Sequence, residues 1–182
     1  MTPRILLPLC LALLFWGCQP KEPLPRATQF GANTFGCKIN GKTYIPDGGG
    51  SFSGIKPING GISVISANPL IRGIYIRTYR SSKESLSFFI NNYKTGSYEL
   101  NANTSPSPLN FESFGLYQIA SGQVYMTSSI NTGRVTITKA DTITGIVSGS
   151  FSFKAGAVDL NGNPNGTGTV EVTEGRFDTK TF

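Results

Sequence analysis

Histidine is absent from the 182 residues, tryptophan occurs once, cysteine three times, and charged side chains make up only 14% of the chain. Without histidine there is no Ser-His-Asp or Cys-His catalytic pair and no His-ligated zinc or iron site. A charge content well below the usual value of about 25% excludes a coiled coil and a charge-driven disordered chain. Long helices are excluded by 22 glycines and 11 prolines, which leave little uninterrupted sequence for them. What is present is one domain's length, enough to bury about two-thirds of the unfolded surface.

The longest apolar run, residues 5–16, follows Arg4 and ends at Gly17-Cys18. It is shorter than the roughly 20 residues of a membrane-spanning helix, so residues 1–17 read as a signal peptide with a small residue before the cut. The arrangement resembles the lipobox of bacterial lipoproteins. That resemblance implies diacylation of Cys18, which becomes the mature N-terminus and the membrane anchor; an ordinary secreted protein with the same signal is the alternative. Residues 18–33, with Pro20, Pro23 and Pro25, suit an extended tether. Cleavage removes Cys10 and Trp16, and lipidation uses Cys18, so Cys37 remains alone and no internal disulfide is expected. Cys37 alternates with Phe35 and Ile39 on one strand face and reads as a small buried hydrophobe.

From Thr34 to the end at residue 182, apolar and polar residues alternate at period two between frequent Gly, Asn, Asp and Pro, the pattern of antiparallel strands. Asn40-Gly41 predicts a type I′ hairpin turn. Further strands are expected over 62–67, 71–79, 86–93, 97–100, 115–119, 123–128, 134–139, 142–155 and 169–173. In 142–155, Ile143, Val147, Phe151, Phe153 and Ala155 share a face with Gly145 and Gly149, which mark a bend or bulge. Gly175 breaks the parity of the last strand, and Phe177 is expected to pack back onto the core. The fold class is therefore all-β: an antiparallel β-sandwich or partly closed β-barrel of about ten short strands, preceded by a signal peptide.

Chemistry-bearing patterns are few. Asp159, Asn161, Asn163 and Asn165 are spaced like the ligands of a calcium loop, but Pro164 stands where that loop needs Gly and Val170 where it needs Glu. A hairpin loop with no metal is expected there instead. The acids, among them Asp47, Glu84, Glu99, Glu112, Asp141 and Glu171, are scattered singly, so no catalytic residue and no cofactor is assigned. Tyr75, Arg77 and Tyr79 alternate on one face of a strand with Arg72, Arg80 and Lys83 close by, and form a candidate binding surface. The 16 basic and 10 acidic residues give a net charge of +6 but no Lys/Arg runs, which argues against nucleic acid as a partner.

The chain resembles an uncharacterised family of small lipoprotein domains of Bacteroidetes-type bacteria. The resemblance rests on residues 35–42 with Pro46, 95–100 (Thr95-Gly96-Ser97-Tyr98-Glu99-Leu100), 133–141, 149–153 and 170–178. It implies a cell-envelope location and no assigned activity, and Gln19 after Cys18 is similar to lipoproteins sent on to the outer membrane. The expected function is a non-enzymatic binding or structural β-domain anchored in the membrane through lipid on Cys18, with an envelope protein or glycan as partner. The alternatives are a glycan hydrolase using a carboxylate pair, or a barrel carrying a small apolar ligand.

Overall fold

The computed structural model describes residues 23–49, 54–67, 70–102, 112–159 and 161–180. They form eleven strands: β1 (Thr34–Ile39), β2 (Lys42–Tyr44), β3 (Ile58–Ala67), β4 (Leu70–Tyr79), β5 (Ser85–Ile90), β6 (Gly96–Leu100), β7 (Phe114–Gln118), β8 (Val124–Met126), β9 (Gly133–Ala140), β10 (Ile146–Val158) and β11 (Pro164–Lys180). No helix occurs among the described residues, and none there is long and apolar enough to cross a membrane.

All pairings are antiparallel within one sheet of order β2-β1-β11-β10-β8-β7-β5-β4-β3. β10 is the branch point. One edge runs along β11; the other takes β9 over Val147 to Phe153 and β8 over Gly156 to Val158. β9 in turn carries β6. The sheet folds over so that Phe88 of β5 meets Phe151 of β10 at 5.3 Å and Phe177 of β11 at 5.2 Å between ring centroids, while Phe35 of β1 meets Phe151 at 5.0 Å. Among the described residues no ladder joins the two ends, β2 and β3, so the sheet they form is curled but not closed. Burying aromatic rings of roughly 150–250 Å² each supplies much of the apolar gain that holds the two halves together.

The local signals act as their chemistry requires. Asn40 and Gly41 have φ of 48° and 77°, the left-handed values of a type I′ turn, and β1 and β2 pair directly across it from Ile39 to Lys42. Cys37 is fully buried beside Phe35 and Ile39, and burial pushes its thiol far above the usual range, so it is inert. Phe177 packs into the core as its parity break implies.

Several boundaries differ from the sequence pattern. The strand expected over 142–155 begins at Ile146, because the Asp141 carboxylate accepts the N–H groups of Ile143 and Thr144 and the Thr144 hydroxyl, closing a turn that leaves Ile143 94% exposed. The last strand runs from Pro164 to Lys180, five positions before and seven after the expected 169–173, because pairing with β10 extends through both flanks. β10 and β11 are thus long rather than short. Gly149 does mark a bulge, since the register with β9 shifts between Ser148 and Gly149. A Cβ there would lie 2.2 Å from the Thr136 carbonyl oxygen and 3.0 Å from the Phe177 ring. Gly149→Ala is therefore expected to cost about 1–3 kcal/mol by overpacking. Urea unfolding would measure it, and an unchanged midpoint would refute the close approach.

Candidate functional site

Period-two alternation on β4 sends Ile74 and Ile76, both fully buried, into the core and Tyr75, Arg77 and Tyr79 to the opposite face, where all three are half-buried. The Arg77 guanidinium carbon stands 4.9 Å from the centre of the Tyr79 ring, a cation–π pair. Tyr75 takes a different part. It lies opposite Phe89 of β5, which stacks on Phe114 of β7 at 5.9 Å, and with Leu116, Val124 and Met126 these make a second apolar cluster on the outer face. The structure thus joins Arg77 to Tyr79 and gives Tyr75 to packing. Arg72 and Arg80 make their own cation–π contacts, at 5.8 Å from Tyr93 and 5.5 Å from Tyr44. Cys18, the expected lipid site, lies outside the described residues.

A polar network that the sequence pattern did not reveal sits at the β4–β5 turn. The Glu84 carboxylate accepts hydrogen bonds from the Tyr117 hydroxyl at 2.6 Å, Ser82 at 2.7 Å and Arg80 at 3.2 Å. Burial opposes ionisation of Glu84, but these bonds and the Arg80 charge outweigh it and hold the carboxyl below its ordinary range. Tyr117 is pushed the other way, by burial first and then by its bond to Glu84. Next to it, Asp47 accepts the Ser81 N–H at 2.6 Å and hydroxyl at 2.7 Å, and these bonds lower its pKa. The one local signal was the spacing of Arg80 and Glu84 across a two-serine turn; Tyr117 comes from β7, far along the chain.

A second concentration of hydrogen bonds lies where the chain enters the domain. Asp178 of β11 is fully buried, yet its carboxylate accepts three consecutive backbone N–H groups, from Phe30, Gly31 and Ala32, at 3.0–3.2 Å. The hydroxyls of Thr28 and Ser148 donate to it at 2.6 and 2.7 Å. Lys139 donates to the Gln29 carbonyl and Lys180 N–H to the Asn33 side chain. The segment read as tether is therefore hydrogen-bonded to the sheet from Thr28 onward, and Leu24 and Pro25 before it already lie against Gly36 of β1. Burial raises the Asp178 pKa, but the bonds from Ala32, Thr28, Ser148 and Gly31 outweigh it, so the folded state favours the ionised carboxylate.

A carboxyl depressed on folding adds stability above its unfolded pKa of about 3.9, and that contribution disappears as pH falls through the folded value. Asp178→Asn is expected to cost at least about 2 kcal/mol at pH 7, since hydrogen bonds to a charged group are the strong ones. It should also flatten the acid limb of the stability profile. Denaturant midpoints between pH 7 and pH 2 would show both, and a variant that tracks the wild type at every pH would refute the clamp.

The Asp159 carboxylate is occupied by its own loop, accepting from the Asn161 and Asn163 N–H groups at 2.8 and 2.9 Å. Among the described residues, no group of three His, Cys, Asp or Glu side chains converges on a metal position. Asp47, Glu84, Asp141, Asp159 and Asp178 all have depressed pKa values, whereas a general acid needs a raised one. None of these five fits the protonated partner of a glycosidase pair.

Residues 66–179 match the model of a domain of unknown function, DUF6252, and the chain belongs to that family. No curated protein and no solved structure matches the chain.

Proposed function

We propose that this member of a family without assigned activity is a cell-envelope lipoprotein, anchored through acylated Cys18, whose β-domain binds an envelope protein or glycan through the Arg77–Tyr79 face. The observation that carries the binding reading is that the Arg77–Tyr79 cation–π pair is half-buried on the outside of a sheet whose inside is filled. Phe35, Phe88, Phe151 and Phe177 occupy the space that a carrier barrel would keep for a ligand. Support for anchoring comes from the signal-like run before Gly17-Cys18 and from the Asp178 clamp. Residues 18–23, between the cysteine and Leu24, which lies against Gly36 of β1, can span at most about 20 Å, which would keep the domain close to the membrane. Two acyl chains make a durable anchor where one is marginal.

Cys18→Ala should move the protein from the membrane to the soluble fraction and abolish palmitate labelling. Wild-type protein found soluble and unlabelled would end the lipoprotein reading. On the same face, Arg77→Glu with Tyr79→Ala should reduce capture of envelope components by about tenfold or more, with the melting temperature unchanged. Capture at wild-type level would move the binding surface elsewhere.

A further inference from the structure

Six large apolar side chains are exposed among the described residues, and four of them, Phe30, Val64, Leu70 and Ile143, share one end of the sheet. β11 finishes and β10 begins there, Lys180 pairing with Ile146, and the turn from β9 into β10 lies just beyond. Phe30 flanks this turn on one side: a Cβ on the next residue, Gly31, would lie 3.1 Å from Lys180 and 3.2 Å from Ile146. On the other side a hollow of about 370 Å³ separates residues 142–145 from Ile62, Val64 and Arg72 of the β3–β4 hairpin. Leu70 stands farther out on that hairpin, opposite Ala67. Ile143, 94% exposed, belongs to the turn itself. A single exposed apolar residue needs no explanation, but several on adjoining segments mark a contact surface.

Two cations border these side chains. Arg72 lines the hollow, and Lys139 leads into the turn, its ammonium donating to the Gln29 carbonyl at 2.9 Å. The carboxylate of the turn, Asp141, accepts the Ile143 and Thr144 N–H groups and the Thr144 hydroxyl, so it serves its own loop. The entering chain crosses the same end, since Asp178 holds the backbone of Phe30, Gly31 and Ala32 there. Ile130, 88% exposed, lies at the opposite end of β10, in the β8–β9 loop where the Thr132 carbonyl accepts the Lys154 N–H.

We propose that this end of the domain rests on the lipid bilayer, with Phe30 and Ile143 entering the boundary between headgroups and acyl chains, Val64 and Leu70 beside them, and Arg72 and Lys139 meeting anionic headgroups. The inference rests on the reading of the chain as a lipoprotein acylated at Cys18, and adds the orientation of its domain. Phe30 follows Cys18 by twelve residues, at most about 40 Å of extended chain, so the anchor holds this end within reach of lipid. Tethering makes the second contact intramolecular, and a weak apolar contact then suffices. A bilayer fits because the four apolar side chains come from three separate segments with a hollow between two of them. Fluid lipid fills such gaps, whereas a protein partner would need a matching relief. Basic side chains at the rim keep their charges among the headgroups while their stems cover apolar surface. In this orientation Tyr79, nine positions along β4 from Leu70, stands up to about 30 Å from the lipid, which leaves the Arg77–Tyr79 face open.

The test uses protein recovered from membranes, checked for palmitate label, and reconstituted into vesicles of phosphatidylcholine and phosphatidylglycerol whose acyl chains carry bromine, a contact quencher of tryptophan. Ile143→Trp and Ile130→Trp replace exposed side chains at the two ends and share every other residue, so the difference between them reports the two positions alone. Ile143→Trp should lose about half or more of its added emission and Ile130→Trp almost none, because only the former reaches the acyl boundary. Adding Arg72→Glu to Ile143→Trp should lower occupancy of the docked state about fivefold or more, seen as recovered emission. Labelled protein in which both positions are quenched equally, or in which Ile143→Trp is not quenched, would overturn the proposal while leaving the anchor intact. Protein without label would overturn the lipoprotein reading and this orientation with it.

Discussion

The bulge at Glu174 in β11 governs the fold. Glu174 adopts a φ of 53°, and at that level the register shifts against both neighbours: between Gly36 and Lys38 on β1, and between Phe151 and Phe153 on β10. A shift of one residue moves every later side chain to the other face of a strand. Val170 and Val172 face the core before the bulge, and Phe177 faces it after, so one strand serves a single interior on both sides of the bulge. Without that reset, Phe177 would point to solvent and its contacts with Phe88 and Phe151 would be lost. An ion pair from Lys38 to Glu174 crosses the same point.

From this spine the other elements take their places. β10 follows β11 and, by offering its outer edge to β9 in one half and β8 in the other, divides the sheet into two leaves that close on the phenylalanine core. The second consequence of the parity change is Asp178. Next to Phe177 on a curved strand, it is buried at the end of the sheet and gathers the entering chain through three successive N–H groups. The most heavily bonded carboxylate of the described residues is therefore a structural clamp. Its ionised state is stabilised by the same bonds that would be useless to an acid catalyst.

Much of the local structure was legible because it rests on short-range chemistry. The Asn40-Gly41 turn, the buried Cys37 and the two faces of β4 follow from φ preferences and from a side-chain period of two. The Arg77–Tyr79 pair needed no more than that period, since both residues lie on one strand two positions apart. Tyr75 shares their face, but its role was set by Phe89 and Phe114, which β5 and β7 bring alongside. Ile143 misled for a related reason: its spacing fits the β10 face, yet the Asp141 carboxylate competes for the backbone and bends it into a turn.

The sequence by itself determined an all-β chain, its hairpin turn, its inward-facing residues and the lack of any histidine chemistry, because composition and alternation act within a few residues. Only the tertiary structure decided that Glu84 meets Tyr117 and that Asp178 meets residues 28–32. Those outcomes depend on which strands become neighbours and where a bulge resets their faces, and partners separated by tens to more than a hundred positions leave no periodic trace in the chain.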